Sequence, residues 1–155
     1  MSNLLQYLSP DRVILPLSSS RKVDAIRELA SLYRKSEKVT HFRAFLSALL
    51  QKEQRFGSAV EQGVALPHYR DDSIIEPIAS LGVSRDGLDW GAGQQVQILV
   101  LVGWPNKHQR AYLKTVAELA SVLHQPEIRT QILKSKTSEE VVKTIRLGLS
   151  ADVTS

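Results

Sequence analysis

Cysteine is absent from the 155-residue chain, which excludes disulfides, thiol nucleophiles and thiolate metal sites and is compatible with a reducing cytoplasm. Long apolar runs are absent too. The longest, Ile98 to Trp104, is seven residues, far below the roughly 20 that span a bilayer. The first ten residues lack the charged start and apolar core of a secretion signal, so no integral membrane segment is expected and the cytoplasm is the expected location. Charge of one sign is barely in excess: twenty Lys plus Arg against sixteen Asp plus Glu give a formal net charge of +4. The basic residues are scattered and form no tail or stripe, so dedicated nucleic-acid binding is not expected. At 6% aromatic, the chain offers no obvious oligomer patch. No Walker loop, GxGxxG after a strand, GxSxG or HExxH occurs. The four histidines, His41, His68, His108 and His124, include no pair at metal-ligand spacing, and no metal or cofactor site is expected.

What is present is an ordinary globular composition, 43% apolar and 23% charged, of one-domain length. With no repeat and no low-complexity linker, residues 1–155 are assigned to one domain. Arg12 to Leu17 reads as a short strand stopped by Pro16 and the serines after it. Ser20 is the expected N-cap of a helix carrying Val23, Ile26, Leu29, Ala30 and Tyr33 on one face and ending near Ser36. Thr40 is the expected cap of a second helix, with Phe42, Phe45, Leu46, Leu49 and Leu50 inward, running to about Gln54. From Arg55 to Gly63 no helical period is legible. Gly63 to His68, Ile78 to Val83 and Val96 to Val102 then read as strands, the last apolar enough to be covered on both faces. Asp86 to Gly93 is turn-rich and reads as a crossing rather than a regular element. Three helices follow: one with Leu113, Val116, Leu119 and Leu123, a short one opened by Pro126, and one after the capping box Thr137-Ser-Glu-Glu140. The order β-α-α-β-β-β-α-α-α predicts a sheet with helices on both faces, a three-layer α/β/α sandwich.

Among the histidines, His68 has a setting that presents it. Pro67 restrains its own backbone and keeps Leu66 extended, while Gly63 permits close approach of another backbone or an anion. The strand therefore delivers His68 to its end. An imidazole with an unperturbed pKa near 6.5 keeps a neutral nitrogen at cytoplasmic pH, available as nucleophile or base. The residues alone leave open an ordinary loop histidine.

The segment Gly63-Val-Ala-Leu-Pro-His68 resembles the hallmark of the fructose, mannitol and nitrogen-regulatory type of enzyme IIA of the bacterial phosphotransferase system. The resemblance extends over roughly residues 4 to 147. It takes in Ser20 to Tyr33 as the first helix, Ile78 to Trp90 as a strand and aspartate-tryptophan turn, and Tyr112 to Leu123 as the helix with the HLxxLxxLAxxL pattern. It implies an α+β fold with a mixed sheet between helical layers, and a phosphoryl carrier without metal or nucleotide. His68 would accept the group from the phosphohistidine of HPr or its nitrogen-branch counterpart, then pass it to an enzyme IIB or hold it as a regulatory signal. The absence of transporter segments resembles the nitrogen-regulatory branch more than a permease-fused sugar component.

The sequence departs from that family at three places. Lys52 stands where the family carries an arginine, keeping the charge and losing the planar fork that grips two phosphoryl oxygens. Arg55 or Arg70 could substitute, with solvated surface arginine as the ordinary reading of each, and Ser58 falls on a family hydroxyl. Tyr112 replaces the histidine that opens the helical pattern; a phenol donates a hydrogen bond and carries no cation near neutral pH. His108, one helical turn earlier, could reach the same side. Tyr69 replaces a glycine, narrowing the site or joining a partner's footprint. Two readings follow. In one, His68 is the acceptor, Lys52 and Arg55 stabilise charge, and Ser58 and Tyr112 donate hydrogen bonds. In the other, the same face binds partner proteins with transfer weakened or lost.

Overall fold

Apolar residues at period two become strands and those at three and four become helices in a computed structural model of the chain, which describes residues 4–60 and 62–154. The first three residues of the stretch read for a secretion signal, and Glu61 within the aperiodic stretch, lie outside the described residues. In chain order the elements are α1 (Leu4–Tyr7), β1 (Val13–Ile14), α2 (Lys22–Ala30), α3 (Phe42–Phe56), β2 (Ala59–Val60), β3 (Val64–Ala65) and β4 (His68–Arg70). They continue with β5 (Ile78–Gly91), β6 (Gln94–Trp104), α4 (Gln109–His124), α5 (Pro126–Lys134) and α6 (Ser138–Thr154).

The sheet runs β1-β5-β6-β3-β2, with β4 following β3 along β6. β1 lies parallel to β5, and β3 and β4 lie parallel to β6; the β5–β6 and β2–β3 pairs are antiparallel. This is the mixed sheet of an α+β fold. Its central strand explains the apolar run in the sequence: successive side chains of β6 point to opposite faces. Ile98, Val100, Val102 and Trp104 enter one core with Leu119, Ile132 and Ile145 of α4, α5 and α6. Leu99 and Leu101 enter a second core with Ile26, Leu29, Phe45 and Leu49 of α2 and α3. Helices thus cover both faces, giving the three layers expected. Thr137 caps α6, its Oγ1 accepting the Glu140 amide at 3.1 Å, while the Glu140 carboxylate accepts the Lys136 amide at 2.8 Å, one residue before the amide that a full capping box uses.

Several boundaries move for identifiable reasons. The first strand shrinks to Val13–Ile14 because Pro10–Arg12 form a 3-10 turn, and pairing resumes only at Leu17, whose amide donates to Val83 O at 2.8 Å. Ser20 is not the cap of α2. Its carbonyl accepts the Asp89 amide at 2.9 Å and Arg21 bridges to Asp89, so the backbone stays extended through Arg21, which occupies the cap position. Regular helix then ends at Ala30, with a 3-10 turn through Tyr33 rather than helix to Ser36. Thr40 is not a cap either: its amide and hydroxyl both donate to Ser73 O, tying the loop before α3 to the loop before β5, and His41 precedes the helix. Asp86 to Gly93 belongs largely to strand. β5 runs through it to Gly91 with irregular register after Val83, and the turn is the two-residue Ala92-Gly93, both at positive φ. Positive φ at both positions is what a tight antiparallel hairpin demands, and Gly93 adopts it without steric cost.

Candidate active site

The segment Gly63 to His68 divides into two short strands on the same edge of β6. Val64 and Ala65 pair with Ile98 and Leu99, and His68, Tyr69 and Arg70 pair with Val102, Gly103 and Trp104. Leu66 and Pro67 separate them. Pro67 has no N–H to give the ladder, yet its carbonyl accepts the Val102 amide at 3.0 Å, which seats β4. The Leu66 amide turns away to Ser58 O at 2.9 Å, leaving the Leu66 carbonyl within 2.5 Å of His68 Nδ1. A carbonyl only accepts, so the proton of that bond resides on Nδ1. The lone pair of His68 is therefore on Nε2.

Alternation along β4 sends His68 and Arg70 to one face and Tyr69 to the other. On the His68 face stands Tyr112, in the first turn of α4, with ring centroids 5.8 Å apart. The Tyr112 ring is backed by Trp104 at 5.8 Å, and Trp104 by Tyr7 at 5.3 Å in an edge-on contact. Arg70 caps this group, its guanidinium carbon 5.4 Å from the Tyr112 ring centroid. Among the described residues the Tyr112 hydroxyl has no hydrogen-bond partner, and it is not a buried orphan; the buried indole N–H groups of Trp90 and Trp104 are. Tyr69 turns inward instead of lining the pocket, 6.4 Å from the Phe45 ring.

Lys52 reaches the site from α3, its Nζ donating to the His68 carbonyl at 2.5 Å and standing 5.9 Å from the Tyr69 ring centroid. The neighbouring Glu53, 5% exposed, accepts the Ser58 amide at 2.9 Å and the Ser58 hydroxyl at 2.8 Å, and pairs with Lys22 at 3.2 Å. The hydroxyl proton of Ser58 is thus directed to Glu53. Arg55 is exposed in the last turn of α3, and among the described residues its side chain makes no hydrogen bond, ion pair or ring contact. His108 is exposed, in left-handed backbone conformation immediately before α4; its carbonyl accepts the Tyr112 amide at 3.1 Å.

These surroundings set the protonation states. Burial holds His68 below its ordinary pKa of 6.5 and the Lys52 ammonium pushes the same way, against the Leu66 carbonyl and Glu53. Burial also lowers Lys52, opposed by Glu53 and reinforced by Arg70. Tyr112 is pushed up to about 12 by burial, against Arg70. At neutral pH the site holds a neutral imidazole with Nε2 unprotonated, a protonated phenol and two neighbouring cations. An arrangement of this kind can accept an electrophile on Nε2 and stabilise anionic oxygens around it.

Of the two arginines that could substitute for the family residue, Arg70 falls on the His68 face, because residues two apart on a strand share a face and β4 continues past His68. The role of Glu53 in orienting Ser58 had no signal in spacing alone. Among the described residues no group of three or more His, Cys, Asp or Glu is placed to hold a metal ion, and no helix is long and apolar enough to cross a membrane.

The fold and site define a three-layer α+β protein that presents a neutral histidine from a sheet edge beside two cations. The sequence profile of the phosphoenolpyruvate-dependent sugar phosphotransferase system EIIA 2 family matches residues 6–147, and the chain belongs to that family. It is 24% identical over 144 residues to the fructose-specific EIIABC component of the phosphotransferase system from Bacillus subtilis, covering 92% of this chain and 23% of that protein. The chain thus spans about a quarter of that relative's length. The nitrogen regulatory protein IIA-Ntr from Neisseria meningitidis superimposes with a TM-score of 0.85 at 20% identity, over 93% of this chain and 99% of that one. Enzyme IIAMTL, solved with phosphorylated enzyme IIBMTL from Escherichia coli, superimposes with a TM-score of 0.77 at 14% identity, over 89% and 96% of the two chains.

Proposed function

We propose that this EIIA-family chain carries a phosphoryl group on His68 Nε2, taken from the phosphohistidine of an HPr-like carrier in the cytoplasm and delivered to an enzyme IIB or kept as a regulatory signal. The observation that carries the reading is the bond from His68 Nδ1 to the Leu66 carbonyl, which leaves Nε2 as the nucleophile. In transfer, the Nε2 lone pair forms the new N–P bond as the donor's N–P bond breaks, and that electron pair returns to the donor's ring nitrogen. The His68 ring becomes cationic, and Leu66 O holds the Nδ1 proton. Lys52 keeps two N–H groups beyond the one given to the His68 carbonyl, and Arg70 adds a planar fork on the same face. Tyr112 donates its hydroxyl proton to a phosphoryl oxygen. Such transfer needs positioning and charge stabilisation around three equatorial oxygens and little else. A complex of a structural relative with phosphorylated enzyme IIBMTL supports a IIB protein as acceptor.

The test is intact mass of the protein and of His68→Ala after incubation with phosphoenolpyruvate, enzyme I and HPr or its nitrogen-branch counterpart. One acid-labile phosphoryl group on the wild type and none on the variant is the expected result. A second reading, docking without transfer, is favoured by the phenol of Tyr112, which supplies no cation where the family carries a histidine. It predicts donor binding with no gain of mass.

A further inference from the structure

We infer that the groove between α2 and α3 is a docking site for an acidic amphipathic helix of a partner protein, adjoining the His68 site at Glu53. The groove has a volume of about 890 Å³. Its floor is apolar: Val23, 47% exposed, on α2 faces Phe42, Leu46 and Leu50 on α3. The apolar stripe recurs at every fourth residue of α3, the spacing that a helix laid alongside would match with its own stripe. From Phe42 to Gln54 the lining covers about 18 Å of helix axis, or roughly three turns of an occupant.

The rim selects the sign of the occupant. Lys22, Arg27, Arg34 and Arg43 line the groove, and Glu53 is the one acid among the lining residues. Glu53 is buried and already paired with Lys22, which also stands over Trp90. The three arginines are left without a carboxylate among the described residues, and the Arg34 guanidinium stands over the Phe42 ring at 5.1 Å, its charge kept at the edge of the apolar floor. A nucleic-acid backbone would satisfy the arginines and leave the floor bare; an acidic helix with one apolar face satisfies both.

Position on α3 relates this groove to the active site. At 100° per residue, Lys52 projects about 80°, 120° and 160° from Phe42, Leu46 and Leu50, so the groove turns away from the flank that carries Lys52 to His68 toward its Leu50 end, with Glu53 between the two.

The experiment titrates ¹⁵N-labelled full-length chain with a 16-residue helical peptide bearing leucines on one stripe and glutamates elsewhere, and with its lysine-for-glutamate counterpart. The acidic peptide is expected to shift the amides around Val23, Leu46 and Leu50 saturably. The double variant Arg27→Glu, Arg43→Glu, both positions exposed, is expected to weaken binding at least about tenfold while keeping the wild-type amide dispersion. No saturable shift at millimolar peptide, equal binding of the lysine peptide, or the same shifts with duplex DNA would overturn the inference. So would shifts at those amides on raising the protein concentration without peptide, which would make a second copy of the chain the occupant.

Discussion

Replacing Arg70 by methionine keeps the length of the aliphatic stem and removes the guanidinium that stands over Tyr112 on the His68 face. If Arg70 grips a phosphoryl oxygen as transfer proceeds, the loss is that of a charge-assisted hydrogen bond, about 1.5–3 kcal/mol. Arg70 is half-buried, and water screens part of that interaction, so the lower half of the range applies, a slowing of about 10- to 40-fold. Removing the cation from over Tyr112 also costs about 0.5–1 kcal/mol of stability, which leaves the fold intact and is checked by urea unfolding. Quenched-flow sampling of phosphoryl arrival from a phosphorylated HPr-like donor, read by intact mass, gives the rate directly. Arg70→Lys should recover part of the rate, since a point charge replaces part of the fork, and Arg55→Met should stay within about twofold. An Arg70→Met rate equal to the wild type, or an Arg55→Met rate that falls as far, would refute the assignment of the fork to β4.

Tyr112→Phe should slow transfer by about three- to tenfold, one neutral hydrogen bond, and change stability by less than about 1 kcal/mol because the hydroxyl bonds no group among the described residues; a larger stability loss by urea unfolding would contradict that geometry. With its pKa at about 12, Tyr112 should give no basic limb to the rate between pH 6 and 9. For His68 the folded pKa lies below the unfolded value, so the unfolded chain binds more protons between the two. Its stabilising contribution is complete above about pH 6.5 and is lost as pH falls through the folded pKa. Phosphoryl acceptance should follow the same window, and an NMR titration of the His68 ring with a midpoint above 6.5 would contradict it. Glu53→Gln should cost about 1–2 kcal/mol in urea unfolding, since the buried carboxylate binds both Ser58 donors and Lys22; an unchanged midpoint would show that this network adds nothing.

The layers of the fold were legible because α4, α5, α6 and the central strand carry their periods openly. Ile98 to Trp104 reads as doubly covered strand and is one. What was not legible depended on partners distant in sequence. Ser20 and Thr40 look like caps locally, but Asp89 and Ser73 claim their backbone and side-chain groups first. Asp86 to Gly93 carries the composition of a loop, and pairing to β6 overrides it for all but two residues. At the candidate site His68 stood out through Pro67 and Gly63, and Lys52 through the resemblance to the family. Between Arg55 and Arg70 no choice was legible, because the three-residue strand that sets Arg70 on the His68 face exists only through its ladder with β6.

If Arg70 serves the phosphoryl group, that ladder links two of the three departures from the family pattern, Lys52 and Tyr112. A lysine at 52 supplies a point charge and anchors to the His68 carbonyl, which sits on the uncovered edge of β4 and has no strand to accept from. A fork at 52 would have to serve that carbonyl and the phosphoryl oxygens together, whereas Arg70 is already on the face where His68 projects. Tyr112 then suits the arginine: its ring offers the face over which a guanidinium stacks, and Trp104 holds that ring in place. An imidazolium at 112 would set a second cation against Arg70 instead. The reverse exchange, Tyr112→His in the Arg70 chain, should therefore place the histidine's pKa below 6.5, through burial first and repulsion by Arg70 in addition. The histidine's pKa should rise in Tyr112→His combined with Arg70→Met while burial still holds it below the ordinary value, a coupling that ring titration of the two variants measures. Equal pKa values in both would mean that position 112 does not sense Arg70, and the two departures would be unrelated.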